Sequence, residues 1–395
     1  MADRRLKRLY GGAVTGDYYW PRPDITDPML ESLLAGESLK QFGLRRTGKS
    51  SLMLAIQQAL KNAGRKPVYI DVQGFDRIDN LVATLVSALP NDGAVSKITT
   101  ALSGSRVSRG IGVVKRLVGS ESQDVPSPRA MLHQIELLKG DLCGALAEQK
   151  RSVILLIDEL PYLIDNMLQS GLNLSEVNGL LATMRKWRQE GQLPMLLTGS
   201  MGLSWLVREK GIAREHFNDV IPIDPPPPLS YEDARAMLQA LALEENCSWM
   251  DEAFIAVILE ENSANYPSFL QFAFGRLKGH RARSADDVRQ VFAEHIRPGL
   301  DEDFYEQFET RLRRYQGDDK AIARAILRSV NSATGGSTFL ASIEQAVSKD
   351  KASDVDEMLA VLVEDGFLRM DRRSRTVSFS SPLVQTWCQS KPWFR

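Results

Sequence analysis

Cysteine is scarce in this chain. Three residues in 395, Cys143, Cys247 and Cys388, are far apart and odd in number. That argues against a disulfide framework and against a zinc site, and it suits a reducing compartment. Net charge is almost absent as well: 49 Lys and Arg face 50 Asp and Glu, leaving a formal charge of -1. The chain as a whole therefore gives no polyanion-binding signal, and any nucleic-acid surface has to be local. The histidines, His133, His216, His280 and His295, show no ligand spacing. Long apolar runs are missing. "VILLI" at 153–157 is only strand-sized, and nothing approaches the ~20 residues that a membrane-spanning helix needs. The basic stretch "MADRRLKRLYGGAV" is followed by no apolar core, so it is not read as a signal peptide. There is no internal repeat. The expectation is a soluble, cytoplasmic protein without a membrane partner.

What is present is material for more than one core. The chain is 43% hydrophobic and 25% charged, and its length exceeds what one hydrophobic core fills, so two or three domains are expected. Residues 38–224 alternate short apolar runs with helical patterns. "SLKQF" (38–42), "KPVYIDVQG" (66–74), "SVILLIDE" (152–159), "LPMLLTGS" (193–200) and "VIPID" (220–224) read as strands. Between them, "KSSLMLAIQQALKNAG" places Leu52, Ile56, Ala59 and Leu60 on one helix face, with Gly64 to end it. Ser127 and Pro128 open a second helix, and "LSEVNGLLATMRKWRQEG" reads as another, with Trp187 a helix residue whose basic flank is solvated. Alternation of this kind predicts a parallel sheet covered on both faces.

Two segments break the rhythm. Residues 93–120 hold five glycines, five serines and the cations Lys97, Arg106, Arg109, Lys115 and Arg116, with no acid. Such a composition reads as a flexible insertion or as a basic arm for phosphate backbones. "DPPPPLS" (224–230) can continue neither strand nor helix, so a domain boundary is placed there. Residues 230–300 then read as helices only. Residues 319–395 read as three helices and a two-stranded hairpin, closed by "SPLVQTWCQ".

The chemistry concentrates in three places. Gly43, Leu44, Arg45, Arg46, Thr47, Gly48, Lys49 and Ser50 spell G-x-x-x-x-G-K-S between a strand and an amphipathic helix, with Ser51 next. Glycines let backbone N–H groups curl around phosphate oxygens, and the helix N-terminus adds its positive dipole end. In this pattern Lys49 reaches the β- and γ-phosphates and the Ser50 hydroxyl ligates Mg2+. "VILLIDE" supplies Asp158 for the metal's hydration shell, and Glu159 directly after it as a carboxylate to polarise attacking water. "LLTGS" ends a strand in polar residues, of which Thr198 or Ser200 is a candidate sensor of the γ-phosphate.

Taken together, "FGLRRTGKSSLM", "VILLIDELPYLI" and "LLTGS" resemble the archaeal-type P-loop ATPases of the STAND and AAA+-like group. The resemblance covers roughly residues 10–300, and extends more weakly to a C-terminal winged helix. It implies ATP and Mg2+ as cofactors, and base-side roles for Tyr18, Trp20 and Arg22. It implies an arginine finger at Arg208 or Arg214, with Arg214 the preferred candidate. The glycine-proline pair of the family's helical domain stands here as "NYPSFLQF", in which Pro267 matches. The expected architecture is α/β: a P-loop core over 1–224, a helical lid over 225–315 and a winged-helix domain over 316–395. The expected function is an ATP-hydrolysing switch that controls a partner, with roles such as defence or toxin control among relatives. The rival readings are a DNA-acting ATPase and a module that holds ATP with negligible turnover.

Partners follow from the charges. In "KASDVDEMLAVLVEDGFL", Val355, Met358, Leu359 and Leu362 form a core stripe. The same helix carries Asp354, Asp356, Glu357, Glu364 and Asp365 against Lys351, a poor match to the cations and amides that read base edges. A protein partner is therefore expected at the winged helix. Nucleic-acid contact is confined to the basic insertion or to Arg369, Arg372, Arg373 and Arg375 of the wing, and homo-oligomers are compatible with the reading.

Overall fold

The computed structural model describes residues 4–77, 153–190, 193–262, 264–333, 337–347, 352–371 and 373–394, with single residues between 80 and 84. The 93–120 insertion, the helix expected from Ser127, Cys143 and His133 lie outside the described residues, as do Lys351 and Arg372. Two compact units emerge. One comprises Pro23–Gln41 and Leu52–Asp224; the other comprises Met1–Arg22, Phe42–Ser51 and Pro225–Arg395.

The first unit is built on a five-stranded parallel sheet. Its strands are β1 (Ser38–Phe42), β2 (Lys66–Asp71), β3 (Val153–Asp158), β4 (Met195–Gly199) and β5 (Val220–Pro222), in the order β2-β3-β4-β1-β5. β4 therefore stands between β1 and β3. β3 is buried along its whole length, which is why its sequence is an unbroken apolar run rather than an alternating one. Helices α1 (Pro23–Ala35), α2 (Lys49–Asn62), α3 (Leu160–Gln169), α4 (Leu174–Gln189) and α5 (Leu203–Lys210) complete it. Met29 and Leu33 of α1, and Leu52, Met53, Ile56 and Leu60 of α2, close one core with Leu39, Ile154, Leu156 and Leu196 of the sheet. Burying a side chain of this size contributes about 1.5–3 kcal/mol, so this stripe holds α2 to the strands more firmly than helix propensity does.

Local signals set the ends of these helices. α2 runs out at Gly64, which takes a positive φ of 73°, and the Arg65 N–H returns to the Leu60 carbonyl. α4 opens on a capping box in which Asn173 and Glu176 bond each other's backbone N–H. Its Trp187 is a buried helix residue, and Arg188 of the basic flank, expected to be solvated, is buried too. Burial of that guanidinium is possible because Nε and Nη2 each donate to Asp219 at 2.8 Å, and Nη2 also reaches the His216 carbonyl at 2.5 Å.

The second unit is mostly helical: α6 (Tyr231–Glu244), α7 (Glu252–Glu261), α8 (Pro267–Gly279), α9 (Ala285–Val291) and α10 (Arg297–Arg314). A π-turn at Phe292–Ile296 joins the last two. After these come α11 (Gly317–Asn331), β6 (Ser337–Phe339), α12 (Leu340–Val347), α13 (Ala352–Glu364), β7 (Leu368–Asp371), β8 (Thr376–Phe379) and α14 (Pro382–Gln389). The C-terminal sheet has three strands, β6-β8-β7, all antiparallel, where the sequence suggested two. β6 escapes sequence reading because it is only three residues long, follows a glycine pair, and has no buried residue to mark a pattern.

α10 ties this unit together. Its Phe304 meets Phe269 of α8 edge-on at 4.5 Å, and one turn later Phe308 lies 5.2 Å from Trp387 and 5.6 Å from Phe367. The stripe expected on α13 is the buried one: Val355, Met358, Leu359 and Leu362 are all inside. Asp365 is a correction. It is not a solvated acid but is 1% exposed, and it accepts the Tyr315 hydroxyl at 2.6 Å. Burial and the Asp365 charge push the Tyr315 hydroxyl well above its usual pKa, so it stays a donor.

A candidate nucleotide site

Two strand ends carry the candidate motifs. β1 is followed directly by Gly43–Ser50, and β3 ends at Asp158. The two parts belong to different units and have separate geometries.

In the loop, Arg46 and Gly48 take positive φ values of 65° and 100°. Alternation of right- and left-handed backbone turns successive N–H groups toward one side, which makes an anion-binding concavity. Lys49 is 5% exposed, and its ammonium donates to the carbonyls of Gly43 at 3.0 Å and Leu44 at 2.6 Å. The Thr47 hydroxyl bonds the same Leu44 carbonyl at 3.0 Å. The loop is thereby cross-linked across its own mouth. Gly43 has no room for a side chain, since a Cβ there would stand 2.7 Å from Pro225 Cβ. Ser50 is half-buried at the start of α2, and the Ser51 hydroxyl accepts the Val14 N–H at 3.0 Å.

Asp158 is 2% exposed and nearly saturated with donors. Thr198 Oγ1 donates to its Oδ1 at 2.5 Å and Tyr69 Oη to its Oδ2 at 3.3 Å, while the Glu159 N–H adds a bond to Oδ1 at 3.1 Å. Tyr69 comes from β2, whose Asp71 registers with Asp158. Burial and the Asp158 charge raise its pKa, which keeps the phenol protonated as a donor. Glu159 adopts the left-handed region at φ 63°. For a residue with a Cβ that conformation costs on the order of 1–3 kcal/mol and clusters at functional sites. The turn throws its carboxylate toward β4, where Oε2 accepts the Ser200 N–H at 2.8 Å and the Ser200 hydroxyl at 3.0 Å. Thr198 and Ser200 thus serve different carboxylates: Thr198 holds Asp158 and Ser200 holds Glu159. Sequence reasoning offered them as alternatives for one role and did not single out Tyr69, although an aromatic hydroxyl near the end of a strand beside β3 was legible.

The remaining candidates are placed as follows. Arg208 lies in the last turn of α5. That helix stops at Gly211, so Arg214 stands instead on a short 3-10 turn, Arg214–Phe217, exposed beside buried His216 and Phe217. Tyr18 is exposed, with the Lys7 ammonium 6.0 Å from its ring. Trp20 is buried under the Arg4 guanidinium, and Arg22, also buried, donates to the Pro227 carbonyl at 3.1 Å.

No protein-family model matches this sequence, and no curated protein is similar to it. Solved structures are. The Walker-type ATPase of Pyrococcus abyssi aligns over 98% of this chain and 98% of its own, with a TM-score of 0.57 at 17% identity. The ORC2 protein of Aeropyrum pernix, in its ADPNP–ADP complexes, covers 92% of both chains with a TM-score of 0.45 at 13% identity. The first likeness shows the fold. The chain has the fold of a P-loop ATPase, with β4 inserted between the loop strand and the acidic strand.

No helix among the described residues is long and apolar enough to cross a membrane.

Proposed function

We propose that the chain is a Mg2+-dependent ATPase that works as a molecular switch, its nucleotide state controlling a partner. The observation that carries the reading is the loop itself, with left-handed backbone at Arg46 and Gly48 and a buried Lys49 ammonium bonded to loop carbonyls; the carboxylates Asp158 and Glu159, held within their own unit by Thr198 and Ser200, support it. The donor set fits the cofactors: Ser50 and Asp158 offer the hard oxygens that Mg2+ prefers, and the loop offers N–H groups and Lys49 to a phosphate chain. When bound, the metal neutralises charge on the phosphates. Lys49 holds the β- and γ-phosphates, exchanging two loop carbonyls for phosphate oxygens. Glu159 accepts the proton of the attacking water, its carboxylate oriented by Ser200. Tyr18 and Arg22 lie base-side and Arg214 acts as the finger.

Residues 225–315 serve in this reading as the lid and residues 316–395 as a winged helix that meets the partner. Asp356 and Glu357 of α13 are exposed, while its apolar stripe is buried. Carboxylates on the outer face would be repelled by phosphates, which favours a protein partner there. A second reading, contact with a nucleic-acid backbone, rests on the exposed Arg369, Arg373 and Arg375 of the β7–β8 hairpin. Single-turnover ATP hydrolysis with Mg2+ and with a chelator tests the enzyme. Retention of a protein from the native host with ATP but not with ADP tests the switch, and salt-sensitive duplex binding lost on Arg373→Glu would promote the second reading.

A further inference from the structure

The phosphate-type loop is shaped from outside itself. Phe42–Ser51 belongs to the same compact unit as Pro225–Arg395. Besides Pro225 against Gly43, three contacts among the described residues bear on the loop from that C-terminal part. The Ser268 hydroxyl of α8 donates to the Arg46 carbonyl at 2.6 Å. Gln307 Oε1 of α10 accepts the Arg45 N–H at 3.0 Å. Leu44, 2% exposed, lies on Gly366, where an added Cβ would stand 2.6 Å from its Cγ and 3.2 Å from its backbone nitrogen.

Each contact falls where the loop is hardest to hold. Arg46 is in the left-handed region, a conformation unfavourable to a residue with a Cβ. The bond from Ser268 fixes the carbonyl on its far side, and the Tyr10 ring sits 4.9 Å from its guanidinium. Arg45, just before it in the chain, has its peptide oriented by Gln307. Leu44 supplies the carbonyl on which Thr47 and Lys49 converge, so the position of Leu44 sets where the ammonium rests. Gly366 has φ +78° and ends α13, so the seat for Leu44 is the turn that leads into β7.

We propose that Ser268 and Gln307 are positioning residues of the loop and that the Leu44–Gly366 contact couples loop geometry to the fold of the C-terminal domain. Nucleotide affinity then depends on residues that touch no nucleotide, and a partner that moves the α13–β7 turn changes it. This rests on reading residues 43–50 as a phosphate site.

The test uses the full chain, a fluorescent ATP analogue with Mg2+, and hydrogen exchange of the loop amides without nucleotide. Ser268→Ala and Gln307→Ala should each weaken analogue binding about fivefold, the worth of one hydrogen bond. Both should speed exchange at residues 44–48, and Ser268→Thr should restore both readouts. Gly366→Ala should weaken binding in the natural background and much less in a Leu44→Ala background, where Cγ is gone. Binding within twofold of the unaltered chain for Ser268→Ala and Gln307→Ala, with loop exchange unchanged, would overturn the proposal. Should the unaltered chain and Lys49→Ala bind the analogue equally poorly, the nucleotide reading fails instead. The exchange measurement, which needs no nucleotide, still decides the positioning claim.

Discussion

Ser200 donates twice to a single oxygen of Glu159, by its backbone N–H at 2.8 Å and by its hydroxyl at 3.0 Å. The two bonds hold a carboxylate whose backbone is already forced into the left-handed region. A general base needs both its charge and its direction, and the two can be removed separately. Glu159→Gln keeps the shape and removes the charge; turnover should fall by about 10²–10⁴-fold while nucleotide affinity holds. Ser200→Ala leaves the N–H bond and removes the hydroxyl, so turnover should fall only about fivefold. Steady-state hydrolysis at saturating ATP measures both. Equal turnover in Glu159→Gln and the unaltered chain would move the base elsewhere.

Asp158 is engaged by Thr198, Tyr69 and the next backbone N–H. Asp158→Asn should weaken binding of ATP with Mg2+ far more than binding of ATP in a chelator, because the carboxamide still fills the volume but ligates a hard cation poorly. Titrations in both conditions compare the two. Equal loss in each would take Asp158 out of the metal shell.

Arg188 and Asp219 form a paired, largely buried ion bridge. Burial pushes the Asp219 carboxyl up, but the bonds and charge of Arg188 outweigh it and hold its pKa below the usual value of 3.8. A depressed carboxylate contributes stability above its unfolded pKa, and that stability is lost only as pH falls through the lower folded value. Arg188→Ala should cost on the order of 2–4 kcal/mol near neutral pH, since it strands Asp219 and frees the His216 carbonyl. Urea unfolding at constant pH gives the number. A loss below about 1 kcal/mol would make the bridge a surface pair in its energetics.

His216 supplies the pH dependence on the acid side of neutrality. It is 7% exposed, and neither ring nitrogen has a hydrogen-bond partner among the described residues. Burial lowers its pKa from 6.5; Glu215 opposes this, and Arg185 and Arg188 reinforce it. The unfolded chain therefore takes up a proton first, and stability falls as pH drops below the unfolded value toward the folded one. The Tm should fall between about pH 7.5 and about pH 5.5, and His216→Phe should flatten that fall. An identical slope in the variant would assign the dependence to other groups.

How much of this was legible in the sequence follows from the range of each interaction. The strands and the α2 and α4 helices announce themselves through local pattern, caps and glycine stops, as "VILLID" and Gly64 show. The G-x-x-x-x-G-K-S loop is legible because its residue types answer to one ligand chemistry at fixed spacing. Long-range pairings are not. Nothing near Asp365 marks it as the partner of Tyr315, fifty residues away, and nothing in "RKWRQ" marks Arg188 as the partner of Asp219. Left-handed backbone at Arg46 and Glu159 contradicts the ordinary preference of those residue types. The bonds made at these two residues come from far along the chain, from Ser268 to the Arg46 carbonyl and from Ser200 to the Glu159 carboxylate.

The central claim is that residues 43–50 hold the phosphates of a nucleotide, with Lys49 as the essential cation. Calorimetric titration of the full chain with ATP and Mg2+, beside Lys49→Ala, tests it most directly. The account predicts saturable one-to-one binding that is lost in the variant while its melting curve stays cooperative. Affinity retained within about twofold in Lys49→Ala would contradict it, because a site built on that ammonium cannot lose it at so small a cost.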